Sequence, residues 1–314
     1  CVFKNFKEDA DDLYIQYAMV FDDSVNPHIE NNIYENIGAS FGGSSTVTKH
    51  YRAISFHSGC GNPKVINNTF RHVFQSVVFA EVPEWKPLTE YLVNDYVIFN
   101  NTRYKCATSH TSETNFNETN WTVEQANIYP NNTLFFNNNI NIDIRDNAVY
   151  VVENTKRLVC VGNTFEWCND EPIGLINESS IISNNFFHNC KNRFIAIDTK
   201  YLDRETIIIE NNHFLSDHPD YNPAVIAFRN DNEPGIVKNL IIKNNVIENT
   251  NSRNAYIWLG LCNRLEFTGN IIKANAGPYQ TLLRLFKLVN YGIIANNHFE
   301  GVAANSYALE LITL

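Results

Sequence analysis

The sequence lacks the features that define several common protein classes. No apolar run reaches 18 residues, so no membrane-spanning helix is expected. Charged residues make up only 18% of the 314 residues and apolar residues 44%, which excludes both a disordered tail and a coiled coil. Positive charge is scarce, since 24 Lys and Arg stand against 34 Asp and Glu. The net charge of −10 argues against binding to nucleic acid.

Cysteine is sparse and irregularly spaced. The chain has seven Cys, an odd number, and no two of them are separated by two residues. We therefore expect mostly reduced thiols, as in a protein made in a cytoplasm, with no disulfide framework, no metal and no cofactor. Methionine occurs once, at Met19, and the chain opens on Cys1 without a signal-peptide pattern. We expect the sequence to be a piece of a longer chain.

Asparagine, in contrast, is abundant, with 48 residues. Nine of them anchor a repeat in which an apolar residue stands three positions before the Asn and another stands two positions after it. The anchors are Asn32, Asn68, Asn138, Asn163, Asn185, Asn212, Asn245, Asn270 and Asn297. Short β-rich runs recur with them and no helical periodicity does, which predicts an all-β fold, a β-solenoid of about nine coils.

The anchors predict a column of stacked side chains. Asn tolerates the left-handed backbone conformation that a tight corner needs, and stacked amides can hydrogen-bond along the axis. Cys168 and Cys190 each lie five residues after an anchor. We expect them to stack about 4.8 Å apart on adjacent coils, either as two buried thiols or as a disulfide.

A second strand follows most anchors and predicts one further parallel sheet, here called the face sheet. Its strands are expected within 148–153, 172–176, 194–198, 224–229, 255–260 and 281–286. Alternation along these strands directs a set of polar and aromatic residues outward. They are Asp198, Arg229, Tyr256, Trp258 and Arg284.

Three acids at the ends of successive face strands are the candidate catalytic residues: Glu153, Glu178 and Asp198. Glycosidic hydrolysis needs two carboxyl groups about 5–9.5 Å apart, a distance that one or two coils supply. Arg229, Trp258, Tyr256 and Arg284 are the candidate substrate-binding residues, by charge or by ring stacking. Two alternatives stay open: the acids are ordinary turn residues, or the acids of the loop 216–223, Asp217 and Asp220, do the chemistry.

The gap between Asn68 and Asn138 contains an insert with a different pattern. Its frame is Trp85, Tyr91, Asp95, Val97, Tyr104, His110 and Trp121. This frame resembles that of small β-sheet carbohydrate-binding modules found beside chitinases and in phage tail proteins. The resemblance implies sugar binding, with Trp85, Tyr91 and Trp121 as candidates. The alternative is that these rings form the core of a miniature domain.

The chain as a whole resembles bacteriophage tailspikes that act as capsular polysaccharide depolymerases, with a pectin-lyase-like right-handed parallel β-helix. The resemblance implies a homotrimer in the virion tail, made in the host cytoplasm, that binds and cleaves bacterial surface polysaccharide. The expected organisation is β-helix over 1–82, insert over 83–126 and β-helix over 127–314. Hydrolysis is the first hypothesis for the activity, β-elimination by a lyase is the second, and a non-enzymatic receptor-binding spike is the third.

Overall fold

The protein is an extended parallel β-helix with a small antiparallel unit inserted into it. The computed structural model describes residues 1–6, 16–21, 24, 26–37, 51–56, 60, 62–73, 75–79, 85–93, 95–100, 102–126, 133–144, 149–151, 157–168, 171–175, 177–198, 203–218, 224–228, 235–249, 257–260, 262–274, 281–286, 290–301 and 307–312.

Three parallel sheets run along the axis, and successive coils add one strand to each. The first sheet contains His28–Glu30, Lys64–Ile66, Thr133–Phe136, Arg157–Val161, Ser179–Ser183, Arg204–Glu210, Val237–Lys243, Cys262–Thr268 and Tyr291–Ala295. The second sheet contains Val2–Phe6, Ile33–Ile37, Thr69–Val73, Asn139–Ile144, Thr164–Cys168, Phe186–Cys190, His213–Ser216, Val246–Asn249, Ile271–Ala274 and His298–Glu300. The face sheet contains Gln16–Phe21, Tyr51–Phe56, Gln75–Phe79, Val149–Val151, Ile173–Leu175, Arg193–Ile197, Ala224–Phe228, Ile257–Gly260, Thr281–Phe286 and Tyr307–Ile312.

The apolar residue two positions after each anchor fills the interior of the solenoid. On the second sheet Phe165, Phe187 and Phe214 stack face to face, with ring centroids 4.8 and 4.7 Å apart and planes within 7° of parallel. All three rings are fully buried. Burial of one such side chain stabilises the fold by roughly 1.5–3 kcal/mol, so the repeated apolar position explains why the coils stack in register.

The anchor asparagines form the predicted ladder. Asn163 donates from Nδ2 to Oδ1 of Asn185 at 3.0 Å and to the carbonyl oxygen of Phe135 at 3.0 Å. The same Oδ1 of Asn185 also accepts the backbone N–H of Asn163 at 2.9 Å. Equivalent backbone-to-amide bonds join every successive pair of anchors from Asn32 to Asn297, at 2.8 to 3.0 Å. The stacked Asn column is confirmed.

The left-handed backbone conformation belongs to the residue before each anchor. Its φ lies between 52° and 69° in all nine coils, at Asn31, Asn67, Asn137, Gly162, Asn184, Asn211, Asn244, Gly269 and Asn296. Asn and Gly adopt this conformation at the lowest cost. The structure thus refines the sequence interpretation: an Asn or Gly turns the corner, and the anchor Asn that follows it forms the ladder.

Cys168 and Cys190 are backbone partners on adjacent second-sheet strands. Both are fully buried and both are free thiols. Of the two alternatives, the structure contains the stacked pair of buried thiols.

The insert forms its own two small antiparallel sheets. One contains Tyr96–Phe99, Thr102–Cys106 and Trp121–Ala126, and the other pairs Glu90–Tyr91 with His110–Thr111. A 3₁₀ turn at Glu118–Asn120 precedes the last strand, with Asn117 as its N-cap. Tyr91, Val97, Tyr104, Cys106 and Trp121 form a core that is separate from the interior of the β-helix.

Candidate functional site

The predicted face-sheet site is only partly described by the structure. Glu153, Arg229 and Tyr256 lie outside the described residues. Trp258 and Arg284 stand next to each other in one outward column of the face sheet, and both are partly exposed. The three coils before Trp258 place Gly174, Ala196 and Ala227 in the same column.

Asp198 is a buried residue, with a relative exposure of 8%. Its backbone N–H continues the face-sheet ladder to the carbonyl of Leu175 at 2.9 Å, and its own carbonyl accepts a hydrogen bond from Nε of Arg204 at 3.0 Å. Arg204 is itself buried. The expectation of a solvent-exposed carboxylate is corrected, because Ala196 and Ala227 are also fully buried and the face sheet is therefore covered on both sides here.

Glu178 is exposed and follows the face strand by three residues, at the start of the first sheet. Its carbonyl accepts the backbone N–H of Glu205 at 2.9 Å. An ion pair with Glu205 raises the pKa of Lys238, and the nearby charges of Asp203 and Glu178 add to this effect. The described contacts of Glu178 therefore lie on the first sheet.

A different set of chemical groups meets on the outer face of the second sheet. Trp167, His188, Asn189, Asp217 and His218, here called the His–Asp cluster, come from three successive coils. The indole of Trp167 lies 5.7 Å from the rings of both His188 and His218, centroid to centroid. His188 Nε2 lies 3.1 Å from Oδ1 of Asp217. The cluster thus combines an aromatic ring, two imidazoles and a carboxylate.

A left-handed backbone position of the second sheet, which also occurs at Asn36 and His72, creates this arrangement. Trp167 and Asn189 each stand four residues after an anchor, and both have positive φ, 57° and 54°. Such a left-handed position turns the side chain away from the regular alternation. Trp167 is 37% exposed as a result. Cys168 and Cys190, which follow directly, return to the interior.

Asn189 holds Asp217 in place. Its Nδ2 donates to Oδ1 of Asp217 at 2.7 Å, and its Oδ1 accepts the backbone N–H groups of Asp217 at 3.0 Å and His218 at 3.1 Å. The hydrogen bond from the Asn189 side chain is the main cause that lowers the pKa of the Asp217 carboxyl. The hydrogen bond and the charge of His188 lower it further. Asp217 is therefore an ionised carboxylate with about half of its side chain exposed.

The outer face continues along the axis beyond the cluster. The ring of Phe186 lies 5.3 Å from that of His213 in an edge-to-face arrangement and 6.0 Å from that of His188. His213 Nε2 lies 2.9 Å from Oε2 of Glu248, and Nζ of Lys273 lies 3.2 Å from Oε1 of Glu248. Both contacts lower the pKa of Glu248, with the His213 bond as the larger cause.

A buried ion pair supports the corner beside the cluster. Glu171 is 1% exposed and pairs with Arg193 at the start of the next face strand. A buried carboxylate needs such a partner, because an unpaired charge would be strongly destabilising there. Glu171 therefore has a structural role.

The rings of the insert divide into core and surface. Tyr91 and Trp121 are 6% and 7% exposed and contact each other edge to face at 5.0 Å. Both rings are core residues of the insert, which favours the miniature-domain alternative for them over sugar binding. Trp85 is partly exposed, packs against Phe99 and Phe116, and stays a candidate.

Sequence reasoning named Asp217 only as a competing acid and missed its neighbours. Nothing in the repeat itself joins Trp167, His188 and His218, since they occupy three coils. The available signal was the left-handed position four residues after the anchor, where Trp167 takes the place that Asn36, His72 and Asn189 have in other coils. Among the described residues, no group of three or more His, Cys, Asp or Glu side chains is arranged to hold a metal ion. No helix in the described part of the chain is long and apolar enough to cross a membrane.

Comparison with known families agrees with both parts of the fold. Residues 84–127 match the family model described as carbohydrate-binding module family 5/12. Residues 115–307, more than half of the chain, match the model described as right handed beta helix region. No curated protein matches the chain.

Proposed function

The chain belongs to the right-handed β-helix family and includes a carbohydrate-binding module, and from these two matches we propose that it binds and depolymerises bacterial surface polysaccharide, capsule or O-antigen. The two matches together indicate a polysaccharide-acting protein. The β-helix family includes polysaccharide-degrading hydrolases and lyases. The next step is to propose which residues form the active site and which reaction they catalyse.

The observation that supports catalysis is the ionised Asp217, which contacts His188, whose ring in turn lies 5.7 Å from that of Trp167. Asn189 and His188 hold the carboxylate charged, and about half of its side chain is exposed. A sugar ring stacked on the indole would bring its polar edge next to these groups. The aromatic ring would bind the sugar, and Asp217 would supply one of the two carboxyl groups that a glycosidase needs.

The proposed reaction is hydrolysis of a glycosidic bond with Glu166 as the second carboxyl group. Glu166 pairs in register with His188, and His188 with Leu215, so Glu166 lies two coils before Asp217. Two coils correspond to about 9.6 Å along the axis, and Asp217 stands two residues beyond Leu215. The side chains of Glu166 and Asp217 must therefore extend toward each other to reach the spacing of inverting enzymes, about 6.5–9.5 Å. Asp217 takes a proton from water, the water oxygen bonds to the anomeric carbon, and Glu166 protonates the leaving sugar oxygen as the glycosidic bond breaks.

Two alternatives have their own support. The face-sheet carboxyls Asp198, Glu153 and Glu178, with Arg229, Tyr256, Trp258 and Arg284 as binding residues, form a second candidate site. β-Elimination by a lyase is favoured by one contact, the 3.1 Å approach of His188 to Asp217, because a carboxylate-oriented imidazole is a good general base.

We further propose that the protein is a phage tailspike that acts at the bacterial surface as a homotrimer. Its overall resemblance to tailspikes supports this, and its mass in solution tests it. A species of three chains is expected, and only the 36.0 kDa monomer would contradict it.

Incubation of the protein with purified surface polysaccharides tests the activity. Release of reducing ends without new ultraviolet absorbance supports hydrolysis. Absorbance from an unsaturated uronate would assign the lyase reaction instead. Binding without either product would leave only the receptor-binding spike.

A further inference from the structure

The outer face of the second sheet presents a continuous row of chemically suitable groups, here called the axial strip: Trp167, His188, Phe186, His213, Glu248 and Lys273. These residues lie on five successive strands of one sheet. Four steps between strands correspond to about 19 Å along the axis. The strip is therefore long enough for several linked sugars, rather than for one.

Rings alternate with polar groups along this row. The Trp167 indole, four residues after its anchor, is 37% exposed. The Phe186 ring, one residue after its anchor, is partly exposed. His213 and Glu248 have 41% and 30% of their side chains exposed. Exposed ring faces accept the apolar side of a pyranose, and imidazole and carboxylate groups hydrogen-bond to hydroxyls.

The charges of this face are unfavourable for an anionic polymer. Two carboxylates, Asp217 and Glu248, stand against the single lysine of the strip, Lys273. Local hydrogen bonds and nearby cationic groups keep Asp217 and Glu248 ionised. A uronate, phosphate or sialate that came to lie on the strip would meet these carboxylates at short range, where like charges repel strongly.

We propose that the axial strip binds an uncharged polysaccharide, laid parallel to the solenoid axis, with Phe186, His213 and Glu248 forming a sugar-binding subsite next to the His–Asp cluster. This inference rests on the proposed function and narrows its substrate to neutral sugars. A neutral substrate would also decide between hydrolysis and β-elimination, because β-elimination requires a carboxylate on the substrate and hydrolysis does not.

The test uses surface polysaccharides built from neutral sugars, and the same polymers after oxidation of their primary hydroxyls to carboxylates. The full chain is incubated with each, and the release of reducing ends and the retardation in affinity electrophoresis are measured. We expect cleavage and binding of at least one neutral polymer and at least about tenfold weaker binding after oxidation.

Variants locate the binding on the strip. Phe186→Ala should weaken binding of the neutral polymer up to about tenfold, the range of an aromatic contact. Phe136→Ala is the matched control, because Phe136 is an exposed phenylalanine on the first sheet, 41% exposed, and it should change nothing. Glu248→Gln should partly restore binding of the oxidised polymer, and thermal melting verifies that each variant folds.

The outcomes separate the inference from the proposed function. Cleavage of oxidised or natively acidic polymers in preference to neutral ones overturns the inference and leaves a depolymerase. Cleavage of a neutral polymer that is indifferent to Phe186→Ala and Glu248→Gln overturns the position on the strip. If no polymer is bound or cleaved, the inference and the proposed function both fail.

Discussion

Asn163 and Asn185 are joined twice, because the Oδ1 atom of Asn185 accepts both the backbone N–H and the side-chain Nδ2–H of Asn163 at 2.9 and 3.0 Å. Asn185 in turn donates from Nδ2 to the carbonyl of Cys160 at 3.0 Å and to Oδ1 of Asn212 at 3.0 Å. Both side chains are buried. Each anchor is therefore acceptor and donor at once, which only a primary amide of this length provides.

Asn185→Asp should strongly destabilise the solenoid. A carboxylate keeps the acceptor but loses both donated bonds, and it introduces an unpaired buried charge next to the carbonyls it served. Each unsatisfied buried group costs about 1–3 kcal/mol, so we expect a loss of about 2–5 kcal/mol in the free energy of unfolding, measured by thermal or denaturant unfolding.

Asn184→Gly is the matched control for the ladder. Asn184 has φ 54° and is exposed, and the same position is occupied by Gly162 and Gly269 in other coils. The substitution should leave the unfolding midpoint nearly unchanged. Equal losses for Asn184→Gly and Asn185→Asp would show that the corner, and not the ladder, limits stability.

The sequence predicts this ladder well because every coil must solve the same local problem. The anchors, the inward Phe187 and the stacked Cys168 and Cys190 all follow from fixed offsets along the chain. Alternation also selects Ile195 and Ile197 for the interior, but it cannot show that Ala196 and Asp198 are covered from outside. That depends on what other coils contribute at this point of the surface.

The His–Asp cluster was harder to predict from the sequence, because it too depends on which residues different coils bring to one place on the surface. Trp167 and His218 meet at 5.7 Å only because two full coils of the solenoid return the chain to the same side of the second sheet. The sequence repeat does not show that a Trp and a His two coils apart will come together. Repeats predict the scaffold, and departures in residue type, such as a tryptophan at the position that Asn36, His72 and Asn189 hold in other coils, locate the chemistry.

The cysteines should be chemically silent in the folded protein, apart from Cys1. Six of the seven thiols are buried, and Cys1 is exposed. Burial raises the pKa of Cys262 to about 12 and that of Cys190 well above its ordinary value, and the thiolate is the reactive form. A colorimetric thiol titration should count one thiol in native protein and seven after denaturation. Two missing thiols after denaturation would indicate a bond between Cys168 and Cys190.

Trp121 should be essential for the insert and dispensable for the β-helix. The indole is 7% exposed and packs edge to face on Tyr91 and on His110. Removing a buried indole costs about 3–5 kcal/mol, which a small core cannot absorb. Trp121→Ala should make the insert sensitive to limited proteolysis while the β-helix stays resistant. Val123→Ala, in the same strand but 55% exposed, should keep the insert resistant.

Asp217 should contribute to stability in a defined pH range. Its folded-state pKa is lowered, first by the hydrogen bond from Asn189. The stabilising contribution is therefore complete above the ordinary Asp pKa of about 4 and is lost as pH falls through the lower folded-state value. Asp217→Asn should flatten the acid-side decline of the melting temperature. Glu113→Gln, an exposed carboxyl in the insert, should leave the decline as it is.

Asp217→Asn and Asp198→Asn together decide which carboxylate does the chemistry. Asp217 is ionised, half exposed and in contact with His188, whose ring lies 5.7 Å from that of Trp167, whereas Asp198 is buried and its carbonyl holds Arg204. Loss of a general acid or base typically slows a reaction about 10²–10⁴-fold. We expect Asp217→Asn to lower depolymerase turnover at least about 100-fold, in a protein that stays folded at neutral pH with a somewhat lower melting temperature, because the variant lacks the stabilising carboxylate.

Asp198→Asn should keep near-normal turnover, because Asn preserves the backbone bonds to Leu175 and Arg204 at that buried corner. Glu205→Gln, which removes an exposed carboxylate on the first sheet, controls for the loss of one negative charge. A loss of about 100-fold in Asp198→Asn with full activity in Asp217→Asn would return the active site to the face sheet. Glu153 and Arg229 would then be the next residues to substitute, since a catalytic Asp198 needs a second carboxyl group and a cation that holds the first one ionised.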